Sequence, residues 1–181
     1  VKQLKIKTMN KETKTIGQTE LLEILMNVDK STFVNIVSKT KVRMNKTNNP
    51  YYDKVFKVNK CNYLIGNEYE TRVNTNDKKE GGEGNFVSEE NKVGVHISKC
   101  VLFNEKHNSH YLQVERFDEI KPNVSYIFEG NEVEKTLFES YLVKVSESSR
   151  QPQERRVLVQ SFKLSSIEEI TLGGVHYIVE R

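Results

Sequence analysis

Residues 33–65 read FVNIVSKTKVRMNKTNNPYYDKVFKVNKCNYLI. Two runs of β-branched and aromatic residues flank a turn-rich centre, and that layout decides the fold. Phe33, Val34, Ile36, Val37, Val42 and Met44 favour an extended chain as far as residues 45–50, where Asn, Thr and Pro crowd together. Pro50 keeps Asn49 out of helical geometry, so the chain should leave the turn extended. On the return, Val55 and Phe56 are adjacent while Cys61, Tyr63 and Ile65 alternate. This change of phase predicts a β-bulge around residues 58–60. Strands 33–44 and 51–65 should then form a long hairpin around residues 40–55, its tip free to act as a flexible finger. If Tyr51 and Tyr52 both lie in the second strand, they point to opposite faces, one outward and one inward.

The same stretch concentrates charge. Lys39, Lys41, Arg43, Lys46, Lys54, Lys57 and Lys60 stand against one acid, Asp53, so residues 39–63 carry a net +6 in a chain whose total is only +3. The remainder is slightly acidic. Tyr51, Tyr52, Phe56 and Tyr63 are threaded among the bases, with five asparagines alongside. Cations attract phosphates, and exposed aromatic faces stack any base, so single-stranded nucleic acid is the leading partner. Lysines and tyrosines also decorate ordinary solvated strands. The two readings stand side by side at this point.

Outward from the hairpin, residues 1–17 read as a flexible basic arm with a short strand at 4–6. A short helix follows, with Thr19 as its cap and Leu21, Leu22, Leu25 and Met26 as its apolar face. Residues 18–181 form a single domain. Tyr69 and Val73 suit a short helix, and residues 77–91, with Gly81, Gly82 and Gly84, a mobile loop. Strands are expected at 93–103, 111–117, 124–128, 156–164, 167–172 and 175–179. Gly173-Gly174 should make the last pair a tight hairpin. Val133, Leu137, Phe138 and Tyr141 have helical spacing over 132–142, and residues 146–154 read as a polar loop. The sum is a mainly β chain with minor α: an OB-like curved antiparallel sheet or small barrel with two or three short helices.

A length of 181 residues suits one domain, and 36% hydrophobic with 29% charged residues suits a soluble one. No run approaches the roughly 20 apolar residues of a membrane span. The polar, lysine-rich N-terminal residues lack the apolar middle of a secretory signal, which points to the cytoplasm. Cys61 and Cys100 sit among alternating apolar residues and read as small core side chains. No catalytic constellation stands up. His107 and His110 share a turn, without the further ligands a metal needs. Gly81-Gly82-Glu83-Gly84 lacks the Lys-Ser/Thr of a phosphate loop. Asp53, Glu68 and Glu70 have no spacing specific to a metal-dependent nuclease. The expectation is a binding protein, neither an enzyme nor a holder of metal or cofactor.

The run Arg43-Met44-Asn45-Lys46-Thr47-Asn48-Asn49-Pro50-Tyr51-Tyr52, with Val55, Lys57-Val58 and Asn62, resembles a family of tailed-phage and prophage proteins that share an RMxKTGNPYY-like core. The family's DYExxVN segment corresponds to Glu68-Tyr69-Glu70-Thr71-Arg72-Val73-Asn74. The likeness runs on through Tyr111-Leu112, Ser148-Ser149-Arg150-Gln151 and the final hairpin, and covers residues 37–180. Asn48 stands where the family carries Gly, and Val93 where it carries Trp; if that Trp stacks bases, this chain lacks one platform. The resemblance implies a phage-type single-stranded-DNA-binding protein, at work in replication or recombination in the bacterial cytoplasm.

Combined with the charge pattern, this gives a concrete expectation. Lys41, Arg43, Lys46, Lys54 and Lys57 neutralise phosphates. Tyr51 or Tyr52, Phe56 and Tyr63 stack bases of DNA, or of RNA. Arg72 extends the path, and Arg150, Arg155 and Arg156 either extend it or belong to a solvated loop. The competing reading is a virion or assembly protein whose hairpins and basic arm clasp other subunits. Homo-oligomers and contacts with phage replication or assembly proteins are compatible with both.

Overall fold

The computed structural model describes residues 12–66, 95–98, 100–117, 119–144 and 157–181. The expected strand at 4–6, helix at 69–73, loops at 77–91 and 146–154, and Arg72, Arg150, Arg155 and Arg156 lie outside the described residues.

Among the described residues eleven strands join into one large curved open sheet. In chain order they are β1 (Glu12–Ile16), β2 (Phe33–Lys41), β3 (Val55–Leu64), β4 (Val95–His96), β5 (Val101–Asn104), β6 (Ser109–Phe117), β7 (Asn123–Phe128), β8 (Asn131–Val133), β9 (Val157–Lys163), β10 (Ile167–Leu172) and β11 (Val175–Val179). The main path runs β1-β11-β10-β2-β3-β6-β5-β4. It branches twice: one end of β3 pairs with β7, which continues to β8, and β6 pairs with β9 as well as β5. The mainly β class with minor α is as expected. Among the described residues the sheet is not closed into a barrel, because the path ends at β1 and β4.

Alternation explains the core. On β2 the buried positions are Val34, Ile36 and Ser38; across the ladder from them lie Tyr63, Cys61 and Asn59 of β3. Ile170 on β10 and Val179 on β11 continue the same face. The sheet curls so that Leu112 and Val114 of β6 and Phe162 of β9 meet these residues in one apolar cluster. Helix α1 (Gln18–Met26) closes it with Leu21 and Leu25, both essentially inaccessible. Cys61 and Cys100 are both buried in this core.

Several local expectations need correction. No bulge interrupts the β2–β3 ladder, whose register is continuous from Phe33↔Leu64 to Lys41↔Phe56. Val55 is in phase with Cys61 and Tyr63, and Phe56 simply faces the other way. A register irregularity sits instead in β10, between Ile167 and Glu169. Residues 12–16 are no free arm: they pair in parallel with β11, from Glu12↔Val175 to Ile16↔Val179. Gly17, not Thr19, occupies the helix N-cap position. Residues 132–142 are not a helix. Strand β8 holds the chain to β7, and two single 3-10 turns follow at Lys135–Leu137 and Glu139–Tyr141. The final hairpin is as expected, with Gly173 at φ 56° and Gly174 at φ 76°, left-handed values that glycine takes without strain.

Candidate nucleic-acid interface

The outer face of the sheet is set by the same parity. Every second residue of β2 points away from the core: Phe33, Asn35, Val37, Lys39 and Lys41. Opposite them on β3 stand Leu64, Asn62, Lys60, Val58 and Phe56. None of these ten is buried. Glu169 and Thr171 of β10, then His176 and Ile178 of β11, extend the face on one side. Asn123, Ser125 and Ile127 of β7 extend it on the other.

Two features give the face structure. Between β3, β2, β10 and β11 lies a hollow of about 390 Å3 lined by Asn35, Val37, Lys60, Asn62, Glu169, Thr171 and His176. Inside it Asn35 Nδ2 donates to Asn62 Oδ1 at 2.7 Å, and His176 Nε2 lies 2.9 Å from Glu169 Oε1. At the ends of β2 lie aromatic rings. Phe33 is 71% exposed, the most open large apolar side chain among the described residues. At the far end Lys39 Nζ sits 4.8 Å from the centroid of the Phe56 ring, a cation–π contact that braces both side chains.

The predicted site residues divide on this geometry. Lys41 and Phe56 share the outer face with Lys39 and Lys60, although Lys41 also pairs with Asp53 at 2.9 Å. Lys57 points to the opposite face, since it is one residue out of phase. Tyr63 is withdrawn from solvent at 2% exposure and makes an edge-on contact with Phe162, 5.1 Å between centroids. It is a core ring, not a stacking platform. Burial, reinforced by neighbouring Cys61, pushes its phenol well above the ordinary tyrosine range.

The hairpin tip also differs from a flexible finger. Tyr51 and Tyr52 lie in a turn ahead of β3, not in the strand. Tyr51 is half-buried against Phe128 and Tyr141, at 5.0 and 5.7 Å between centroids, and belongs to a second apolar cluster around Met44, Val55 and Phe138. Tyr52 is the open member of the pair, 40% exposed. The loop is clamped: the Asn45 N–H donates to the Tyr141 carbonyl at 2.9 Å, and Met44 bridges to Leu142. Asn49 Oδ1 accepts the Tyr51 N–H at 2.9 Å, and Asn48 takes a left-handed φ of 50°, which asparagine tolerates. Arg43, Lys46 and Lys54 are exposed on this clamped loop.

Sequence reasoning missed Phe33, the Asn35–Asn62 pair and the Glu169–His176 pair. Phe33 read only as a strand former. The signal that finds it is parity: Phe33 is out of phase with Val34 and Ile36. His107 is exposed in its turn, while His110 packs on Phe103 with 4.9 Å between ring centroids. Among the described residues no group of three His, Cys, Asp or Glu side chains converges, and no helix is long and apolar enough to cross a membrane. No protein family, curated protein or solved structure matches the chain.

Proposed function

We propose that this protein binds single-stranded nucleic acid along the outer face of β2 and β3. The observation that carries the reading is the composition of one face of the β2–β3 ladder, on which none of the residues is buried. Lys39, Lys41 and Lys60 supply cations, Phe33 and Phe56 supply rings, and Asn35 and Asn62 supply hydrogen-bonding amides. From Phe33 to Lys41 the strand spans about 26 Å, room for the roughly four or more nucleotides that a small β-sheet site accepts. Cations neutralise phosphates while rings stack bases, and neither demands a particular sequence. The resemblance to phage proteins supports the same reading and suggests a role in coating DNA during replication or recombination. No bond-making step is involved.

Stacking needs base faces that a duplex hides, so single strands should bind at least about tenfold more tightly than duplex of the same length. Fluorescence anisotropy with a labelled oligonucleotide in both forms measures this. Equal affinities would indicate a generic basic patch.

The competing reading, a phage assembly subunit, has one observation in its favour. Among the described residues β1 pairs on one side only, which leaves an open strand edge beside the exposed Ile178. A large symmetric assembly without affinity for oligonucleotides would favour it.

A further inference from the structure

Resting on the nucleic-acid reading of the strand face, we propose that a second hollow, at the Phe33 end of that face, takes in one base of the bound strand. It measures about 330 Å3, within the range of about 300–1,000 Å3 typical of sites for small organic molecules. Phe33, Leu64, Phe117 and Ile120 supply its apolar walls, with the Asn62 amide and the Glu115 carboxylate beside them.

Register explains why these residues meet. Leu64 of β3 stands opposite Phe33 on one side and opposite Glu115 of β6 on the other. Glu115 therefore shares the outer face, and so does Phe117, two residues further along β6. The chain then turns. The Ile120 N–H donates to the Phe117 carbonyl at 3.0 Å, and Arg116 Nη1 donates to the Ile120 carbonyl at 3.4 Å. These bonds hold Ile120 beside Phe117.

Three properties point to a base as the occupant. The hollow is continuous with the strand face, because Phe33, Asn62 and Leu64 belong to both. Its rings suit a flat, uncharged heterocycle, which stacks on phenylalanine. The Glu115 carboxylate repels phosphate, so the backbone stays outside, with Lys39, Lys41 and Lys60 further along the ladder. Every base edge carries an acceptor for the Asn62 amino group, so the hollow accepts bases without choosing among them.

The chain contains no Trp, so Phe117→Trp places a single indole at the hollow and keeps a ring there. Oligo-dT should quench its emission along the same titration curve that fluorescence anisotropy follows. An abasic strand of equal length should leave the emission unchanged. Phe117→Ala should weaken oligo-dT binding about tenfold, the scale of one stacked base, without changing the salt dependence. An unquenched indole in protein saturated with oligo-dT, equal quenching by the abasic strand, or wild-type affinity in Phe117→Ala overturns the base pocket and leaves strand-face binding intact. No binding to oligo-dT overturns both.

Discussion

Phe33 and Tyr63 exchange the roles that their types suggest. Both are aromatic and both lie in alternating strands, but they fall on opposite faces of one ladder, Phe33 against Leu64 and Tyr63 against Val34. Which face is inward depends on what packs against the sheet, and no window of 33 residues contains that information. Two contrasts follow. Phe33→Ala should weaken single-stranded oligonucleotide binding by about 1–3 kcal/mol, with little change in unfolding, because the side chain is already 71% exposed. Tyr51→Ala should do the reverse, lowering stability by roughly 2–4 kcal/mol as the second cluster loses a half-buried ring, with only a small effect on affinity. Paired anisotropy and chemical denaturation on the two variants decide; a Phe33→Ala protein that binds like wild type rules out stacking at that ring. Tyr63 carries a pH signature. Its folded-state pKa lies above the unfolded value of about 10, so folding favours the protonated phenol. Its contribution is complete below about pH 10 and is lost as pH rises from there through the folded-state value. Tyr63→Phe keeps the ring and removes the titration. Its denaturation midpoint should therefore fall less steeply than that of wild type as pH rises above about 10. Parallel slopes would show that the phenol's proton is not linked to folding.

The elements that were legible are those made by local alternation: β2, β3, β6, β7, β10 and the Gly173-Gly174 hairpin. Those that were not depend on contacts between distant segments. The pairing of Glu12–Ile16 with Val175–Val179 joins the two ends of the described chain, and nothing in the sequence near residue 12 announces it. The segment after Gly130 misleads for a different reason. Val133, Leu137, Phe138 and Tyr141 mimic a helical stripe, but Asn131–Val133 is already committed to β7, and only Phe138 is fully inside. Phe138 plugs the space between the 42–54 loop and β7–β8, and meets Tyr126 edge-on at 5.2 Å between centroids. Phe138→Ala should cost about 3–5 kcal/mol of stability and release the loop it pins. Denaturation gives the first quantity. Amide exchange at residue 45, whose N–H is held by Tyr141, gives the second. Unchanged protection there would show that the clamp does not depend on this ring.

Over the whole molecule, the curl of the sheet does the sorting. It turns one face of β2, β3, β10 and β11 onto an apolar core and leaves no β2–β3 ladder residue of the other buried; of the seven bases in residues 39–63, Lys39, Lys41 and Lys60 fall on that outer face and Lys57 on the inner one. Clustered charge was visible in the sequence; its division was not, because Lys57 and Lys60 look alike until the register assigns one to each face. The loop cations Arg43, Lys46 and Lys54 belong to a third location, clamped against the second cluster. In the proposed binding mode the strand face, with Lys39, Lys41 and Lys60, meets the phosphates. Three such contacts predict a slope of about −2 for log affinity against log salt on single strands. The decisive measurement is that slope for wild type and for a Lys39→Ala, Lys60→Ala double variant, by oligonucleotide titration over a range of salt concentrations. The slope should fall in magnitude from about 2 to about 0.7 in the variant. A slope unchanged by the double substitution, or a wild-type slope near zero, would contradict this binding mode.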